Sequence, residues 1–503
     1  MTAGGRRVVG VVAATLLARG GWAQGYRLRV DTRVQAAAYR GVVLDSIAVG
    51  DTVPGPTGGP YTPDGFAVNC VSGDAYCRFF RPGPAVHSAP ITTTADLTLW
   101  GLGVPRLSIR ATGRAAGDLS SADNWPGTDS HVQLLEGYAD YSAEHVSVQL
   151  GRQAVPTRFG FTGFDGGRLA LRTGQQGLEV TAYGGWGLAR GVALPVTSPA
   201  LNPLDDFQPR ERQLVAGGSA GWTAPQLDVR VSYLREVDPR VDYFVGERAG
   251  VDLAVRPVRG WSLVGGADYD LAAGWWGSAE ATLGYAAPSG RVAATAGVRR
   301  YRPHFDLWTI WGAFSPVPYR AGQVSLAVTP FDGLRVRASG ERYEYDPSET
   351  STPLVSFETS GWRFSWGATY TMSSAWTLDG GYHSEFGPGA SSRGFEGSVT
   401  YTAGERLALV LNGATLDRPL EFRYDDPSVN QYDVQAVYRP SPRALFQLDA
   451  SRYAEDRRRP DAAAFDWDQL RVSARVVLLF GTAADMANLP PAVRRMPSGR
   501  EAR

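Results

Sequence analysis

The sequence predicts an all-β fold, a transmembrane antiparallel up-and-down β-barrel of about 22 strands, within a range of about 18 to 24. Three observations predict it. Polar and apolar residues alternate along most of the chain, and the spacers between these segments are short and long in turn. No apolar stretch after residue 24 approaches the roughly 18 residues that a membrane-spanning helix needs. Since a strand places alternate side chains on opposite faces, each segment has one apolar and one polar face.

The first alternating segment, "YRLRVDTRV" (26–34), indicates why the sheet should close on itself. Leu28 suits lipid, whereas Arg29 and Asp31 suit water. The same pattern recurs as far as "QLRVSARVVLLF" (469–480). Backbone groups in a bilayer must all be hydrogen-bonded, and an open sheet leaves its edges unpaired. We therefore expect a closed barrel with lipid outside and a water-filled lumen inside.

The order of the spacers predicts the topology. "APSG" (287–290) and "TAGE" (402–405) are tight, whereas 154–166, 188–209 and 387–392 are longer and polar. This alternation predicts short periplasmic turns, long loops outside the cell and both chain ends in the periplasm. Aromatic residues near the strand ends are predicted to form girdles at the membrane surfaces. They are Trp100, Tyr138, Tyr141, Trp222, Trp261, Tyr285, Trp376, Tyr401 and Tyr438.

The composition argues against several classes of function. The 50 basic and 50 acidic residues give a formal net charge of zero, so nucleic acid is not expected as a partner. The five histidines have no metal-ligand spacing, and no cofactor or metal is expected. Asp379, His383 and Glu385 share one face of a predicted strand, but no nucleophile accompanies them. An enzyme is therefore not predicted.

The chain divides into three predicted parts. Residues 1–23 have the basic, apolar and small-residue regions of a secretory signal peptide, with cleavage after Ala23. Residues 24–480 would form the barrel, and the Pro-containing segment 481–503 would be a disordered periplasmic tail. We expect the protein in the bacterial outer membrane, with outer-membrane lipid and the barrel-assembly machinery as partners. The sequence does not indicate an oligomeric state.

The segment 41–90 is the longest predicted loop and is rich in Gly and Pro. It is longer than an ordinary connection, so we expect it to have a function of its own. Either it caps the barrel from outside, or it folds inward, and we favour partial constriction of the pore. Cys70 and Cys77 are predicted to form a local disulfide, the alternative being two unpaired thiols.

The segment "LLEGYADYSAEHVSVQLGRQ" (134–153) resembles a strand–turn–strand unit of porin-like outer-membrane channels, including alginate-export-like barrels. The matching residues are Glu136, Tyr138, Gly151, Arg152 and Gln153. "GFDGGRLAL" (163–171) resembles the next hairpin of those barrels, so the resemblance covers about forty residues. Members of this family commonly end at an aromatic assembly signal, whereas here the segment 481–503 follows Phe480.

The alternation also predicts which charged side chains line the pore. They are Arg27, Arg29, Asp31, Arg33, Arg110, Arg168, Arg172, Asp268, Asp270, Arg335, Arg337, Glu341, Arg363, Asp379, Asp449, Arg471 and Arg475. Arginine binds carboxylate and phosphate bidentately, so a preference for anionic solutes is one hypothesis. The alternative is that these charges hydrate the lumen and pair with one another.

These observations predict a porin-like channel for passive diffusion of small hydrophilic solutes, with anionic solutes as a narrower hypothesis. One alternative is a structural, adhesin or receptor barrel whose lumen is plugged. The other is an export conduit for an anionic polymer, which the resemblance to alginate-export-like barrels implies.

Overall fold

The structure, a computed structural model, describes most of the chain. The described residues are 24–55, 58–120, 132–173, 177–188, 213–237, 244–302, 318–346, 359–387, 390–418, 427–458 and 466–482. The predicted signal peptide, and the predicted tail from residue 483 onward, lie outside them.

The described residues are almost entirely β-structure. The strands are β1 Gly25–Ala48, β2 Val53–Pro54, β3 Pro60–Tyr61, β4 Val68–Asn69, β5 Tyr76–Ser88, β6 Pro90–Trp100, β7 Leu107–Asp118, β8 Val132–Ser142, β9 Val146–Thr157, β10 Gly160–Arg172, β11 Leu178–Gly187, β12 Leu214–Ala224, β13 Leu227–Val237, β14 Phe244–Val255, β15 Trp261–Asp270, β16 Trp275–Ala286, β17 Val292–Tyr301, β18 Tyr319–Phe331, β19 Leu334–Tyr345, β20 Ser360–Thr371, β21 Trp376–Gly387, β22 Ala390–Ala403, β23 Leu407–Asp417, β24 Pro427–Ser441, β25 Ala444–Arg457 and β26 Trp467–Gly481. One turn of 3₁₀-helix covers Val49–Asp51. Within the described ranges, no helix is long and apolar enough to cross a membrane.

Twenty-two of these strands, β1 and β6–β26, form one closed antiparallel barrel. The first strand closes it, because Leu28 lies opposite Leu97 of β6 on one side and opposite Phe480 of β26 on the other. Consecutive strands pair in sequence order all the way round. The predicted fold class and the central estimate of the strand number are confirmed.

The two ends of the barrel differ as the spacers predicted, with two corrections. At one end the strands are joined by tight turns, such as 225–226 and 332–333, whereas at the other end neighbouring strands such as β11 and β12 are separated by many residues of sequence. The predicted loops 154–166 and 387–392, however, are mostly strand. Strand pairing continues as far as Thr157 and Gly160 in the first and as far as Gly387 and Ala390 in the second.

The segment 41–90 forms a β-ribbon rather than an irregular loop. The second half of β1 pairs with β5, and β5 leads into β6, so the first hairpin continues past the barrel. Cys70 and Cys77 are bonded near its tip. Leu44 and Phe80 lie opposite each other and are 55% and 58% exposed, so this face does not pack against the barrel. That this segment narrows the pore stays a prediction.

Candidate functional site in the barrel lumen

Arg158, in the turn between β9 and β10, identifies the inner face of the barrel. Its guanidinium donates hydrogen bonds to Asp252 of β14 and to Ser278 of β16, the latter at 3.0 Å, and its Nε lies 3.6 Å from Asp268 of β15. These strands lie four to six places further round the wall, so the contact crosses the interior. Asp252, Asp268 and Ser278 therefore face the lumen. The cross-strand register extends this assignment from strand to strand.

All seventeen charged residues singled out from the alternation lie on this inner face by register. For example, Arg27 lies opposite Thr98, which lies opposite Arg110. Because directly opposed residues share a face, the assignment propagates round the closed sheet. That these residues line a conducting pore stays a prediction.

The aromatic girdle needs a partial correction. On the outer face, the Trp261 and Tyr285 rings lie 4.9 Å apart at the short-turn end, and those of Trp376 and Tyr401 lie 4.8 Å apart. Trp222, Tyr438 and Tyr141 also face outward by register. Trp100 and Tyr138 instead lie on the inner face. Trp100 is two residues from Thr98, which lies opposite Arg27, and Tyr138 lies directly opposite Arg110. Proximity to a strand end does not determine which face a side chain occupies.

Many of the inner charges pair with one another. Asp31 accepts two hydrogen bonds from Arg475, at 2.8 and 2.5 Å, and a third from Arg29 at 3.1 Å. Arg337 forms a two-bonded pair with Asp379, with both distances at 2.9 Å. These contacts favour the interpretation in which lumen charges balance each other.

Glu341 is the centre of a second charge network on β17–β20. Its carboxylate lies 2.7 Å from Arg299 and 2.8 Å from Arg363, and Arg363 also lies 3.1 Å from Glu385. Glu385 and Asp379 each bind an arginine, so the carboxylates beside His383 are engaged elsewhere. Within the described ranges, no cluster of three or more metal-ligating residues is present.

The upper part of the β9–β10 hairpin folds into the lumen. Val155 and Phe164 pack against Tyr183, Val215 and Leu234 of the inner wall. The rings of Phe164 and Tyr183 stack with their centroids 5.5 Å apart. Full burial of a Phe or Leu side chain stabilises by roughly 1.5–3 kcal/mol, so this cluster holds the hairpin against the wall.

The tip of the hairpin is fixed by charge. Arg158 is only 7% exposed and contacts Asp252, Asp268 and Glu280, three carboxylates on neighbouring strands. Phe159 lies beside it, with the Arg248 guanidinium 5.0 Å from the centre of its ring. Arg158 thus occupies the centre of an acidic patch formed by β14, β15 and β16.

Gly151 marks the point where the hairpin leaves the wall. Its φ is +132°, and a Cβ there would lie 2.3 Å from the carbonyl oxygen of Gly137, so only glycine fits without rearrangement. Just beyond it, Arg152 binds Asp165 through two hydrogen bonds at 2.8 and 3.0 Å. Gln153 is buried and donates to the Gly166 carbonyl at 3.2 Å. Gly151, Arg152 and Gln153, the Gly-Arg-Gln match noted in the sequence, therefore form the bend at which the hairpin leaves the wall.

Sequence reasoning missed this inward hairpin because 154–166 was assigned to an outer loop. The apolar residues Val155, Phe159 and Phe164 were the available signal, since a solvent-exposed loop does not bury large apolar side chains. Phe161 is 81% exposed on the opposite face of the hairpin, so the apolar residues do not all have the same role.

The opposite part of the inner wall borders an open basin of 990 Å³. Arg33, Arg471 and Arg475 lie on its β26–β1 side, and acidic residues lie on its β22–β25 side. The acidic residues there are Glu396, Asp433 and Asp449. Asp379 of β21 and Asp31 of β1 also line the basin, and Asp31 binds Arg475. The basin thus has a basic and an acidic side.

Hydrogen bonds distinguish these two sides. Asp449 accepts from Gln435 at 2.7 Å and from Ser473 at 3.0 Å, and Asp433 accepts from an amide at 3.0 Å. Within the part of the chain that the structure describes, Arg33 has no hydrogen-bond or carboxylate partner, and Arg471 donates only to a neutral glutamine. Among the arginines of the basin, Arg33 and Arg471 are thus not bound to a carboxylate and remain available to an anionic solute.

Comparison with known proteins gives structural matches only. No protein-family model matches the chain, and no curated protein matches it. It is similar to the siderophore receptor PirA from Pseudomonas aeruginosa, with 12% identity, a TM-score of 0.45, and coverage of 90% of this chain and 80% of the receptor.

Two porin structures are also similar. P. aeruginosa OccK3 (OpdO) has 9% identity and a TM-score of 0.38, with 91% of this chain and 96% of that chain covered. A BenF-like porin from Pseudomonas fluorescens Pf-5 has 11% identity and a TM-score of 0.40, with 92% and 100% covered. Because these scores and identities are low, the assignment of function depends on the geometry of this barrel. The narrower resemblance to alginate-export-like barrels is not confirmed.

Proposed function

We propose that the protein is a porin-like channel of the bacterial outer membrane that passes small hydrophilic solutes by passive diffusion. The observation that carries the proposal is a closed barrel with charged and amide side chains on its inner face and apolar side chains on its outer face. Val324, Leu411 and Leu470 face outward and are 60%, 52% and 65% exposed. A belt of such residues is unfavourable in water and suits lipid.

The dimensions of the strands support this placement. Most barrel strands contain 10 to 15 residues, and about 9–11 tilted residues cross the apolar core of a bilayer. The short turns would face the periplasm and the long connections the outside, as in other barrels of this kind. Insertion would require outer-membrane lipid and the barrel-assembly machinery as partners.

The preference for anionic solutes is proposed to come from Arg33 and Arg471. Other arginines of the inner wall, such as Arg475 and Arg337, are neutralised by carboxylates. An uncompensated guanidinium beside a water-filled path attracts anions and binds carboxylate or phosphate through two parallel hydrogen bonds. The inward hairpin covers one side of the lumen, so solutes would pass along the basin on the other.

The test is single-channel recording of the refolded barrel in a planar bilayer, with selectivity obtained from a salt gradient. Discrete conductance steps are expected. The double variant Arg33→Gln/Arg471→Gln should lower the anion-to-cation permeability ratio by about twofold, because it removes charge from the solute path.

The matched control is Arg393→Gln/Arg452→Gln, which removes two arginines from the outer face of β22 and β25 and should leave the ratio unchanged. An unchanged ratio in the lumen variant would refute the anion preference. Silence from protein shown to be folded by heat-modifiable gel mobility would refute the channel itself.

A surface-binding role is a second candidate, favoured by the β1–β5 ribbon. Val42, Leu44 and Phe80 form a row on one face and are each more than half exposed. Exposed apolar patches commonly mark interaction sites. Replacing 42–82 with a two-residue turn should then abolish adhesion of expressing cells while leaving conductance intact, and unchanged adhesion would exclude this role.

A further inference from the structure

The outer wall of the barrel has a groove on β14–β19. It has a volume of 910 Å³ and is lined mainly by apolar side chains. Its floor consists of small residues in adjacent register positions, since Gly265 lies opposite Ala281 and Ala267 opposite Ala279. Val298 stands beside this floor and is 64% exposed. The groove exists because the outward positions of two neighbouring strands lack large side chains.

Three arginines lie on the outer face at the upper end of this groove. Arg300 of β17 lies directly opposite Arg320 of β18, and Arg342 of β19 lies opposite Gly322, one outward position lower. All three are exposed and contribute to the lining of the groove. Directly opposed like charges on a sheet are destabilising, so a bound anion would stabilise this arrangement.

The described residues supply only part of the balancing charge. Glu344 lies 3.0 Å from Arg320 and is the one carboxylate among the outward-facing residues that line the upper end of the groove. Arg342 stacks on Trp362 with its guanidinium 5.1 Å from the ring centre, which leaves its charge in place. Arg300 forms no ion pair with any described residue. Three guanidiniums and one carboxylate leave a local charge of +2.

Other outward arginines near the same end of the barrel differ. On β22, Arg393 lies 2.9 Å from Asp417, and on β25 Arg452 binds Asp468 at 2.5 Å. Arg452 and Asp468 form a one-to-one pair, Arg393 shares Asp417 with Arg458, and none of these residues lines the groove. The uncompensated charge and the apolar groove thus occur together on β14–β19.

We propose that this groove binds a phosphorylated lipid of the outer leaflet. An acyl chain occupies the floor formed by Gly265, Ala267, Ala279 and Ala281, and the phosphate binds the three arginines. Guanidinium bonds phosphate bidentately, and a phosphomonoester carries about −1.5 to −2 charge at neutral pH, which matches the local +2. This inference rests on the proposed placement in the outer membrane, because the arginines lie at the end with the long connections.

Native mass spectrometry of the purified barrel in an uncharged detergent tests the proposal. The probes are phosphatidic acid, phosphatidylcholine with the same acyl chains, and inorganic phosphate. Phosphatidic acid should remain bound, and the other two should not. Arg300→Gln/Arg320→Gln/Arg342→Gln should reduce retention about tenfold, as expected for loss of charge-assisted hydrogen bonds.

Two further variants make the test specific. Ala281→Phe fills the floor, keeps every charge, and should also reduce retention of phosphatidic acid. Arg393→Gln/Arg452→Gln removes two outward arginines that are bound to carboxylates and lie outside the groove, and it should leave retention unchanged. If the triple variant folds poorly, as judged by heat-modifiable gel mobility, the single variants Arg300→Gln and Ala281→Phe are each compared with the wild-type protein instead.

Equal retention by wild type and variants would overturn the lipid site, as would equal binding of inorganic phosphate or phosphatidylcholine. Conductance of the same preparations separates this inference from the proposed function. A barrel that conducts but retains no phosphatidic acid refutes only the lipid site. A barrel that retains the lipid but never conducts refutes only the channel.

Discussion

Two hairpins depart from the barrel wall, in opposite directions, and their side chains account for the difference. The β9–β10 hairpin folds inward and buries Val155 and Phe164 against the wall. The β1–β5 ribbon extends outward and carries an exposed ion pair, with Asp45 2.8 Å from Arg81. The inward hairpin has an apolar patch on the wall to pack against, whereas the apolar row of the ribbon, Val42, Leu44 and Phe80, has no such partner among the described residues and stays exposed.

The largest effect is expected from Phe164→Ala, which removes the most buried side chain of the inward hairpin. Phe164 is 0% exposed, and loss of a buried Phe costs about 3–5 kcal/mol. Docking of the hairpin should fail, so hydrogen exchange over 153–163 should accelerate and channel noise should rise. Phe161→Ala, on the exposed face of the same hairpin, should change neither; similar behaviour of the two variants would contradict the inward docking.

Arg158→Gln should have the next largest effect, at about 3 kcal/mol, because three carboxylates lose a nearly buried cation. The freed acidic patch of Asp252, Asp268 and Glu280 should also shift ion selectivity toward cations. Reversal potentials and open-channel noise provide the measurement. Adding Asp252→Asn to Arg158→Gln should restore part of the docking, and noise that remains at the wild-type level in the single variant would contradict the anchoring role.

Cys70→Ser/Cys77→Ser should destabilise only the outward ribbon, by about 2 kcal/mol, because the bond closes a short loop. Cys77 is fully buried in the wild-type protein. Limited proteolysis should become faster within 49–76 and nowhere else, with conductance unchanged. A change in conductance would mean that the ribbon reaches the pore after all.

The smallest effect is expected from Asp118→Asn at the base of the ribbon, where the Asp118 carboxylate accepts hydrogen bonds from the Ala89 backbone at 3.0 Å and from the Ser120 backbone at 2.7 Å. An amide oxygen accepts such bonds less strongly than a carboxylate, so the loss should be about 1 kcal/mol.

Exchange of the Ala89 amide should therefore be faster in the Asp118→Asn variant than in the wild-type protein. Equal exchange rates in the two proteins would contradict this role of the Asp118 carboxylate.

The sequence by itself determined the barrel, its strand number and the inner position of the charged residues. These follow from local chemistry: alternation fixes two faces for each strand, and turn composition fixes where strands end. Arg27, Arg335 and Asp449 were therefore assigned to the inner face without knowledge of any neighbour. The two aromatic errors, Trp100 and Tyr138, arose where proximity to a strand end was given more weight than alternation.

Only the tertiary structure decided which charges are paired, which hairpin enters the lumen and where the outer wall is grooved. Arg33 and Arg475 look alike in the sequence, yet Asp31 binds Arg475 and not Arg33. Arg158 and its carboxylate Asp252 are 94 residues apart. The groove depends on which strands lie side by side, because Gly265 and Ala281 adjoin only through register. Each of these features is a contact between distant segments, and alternation along one strand contains no information about it.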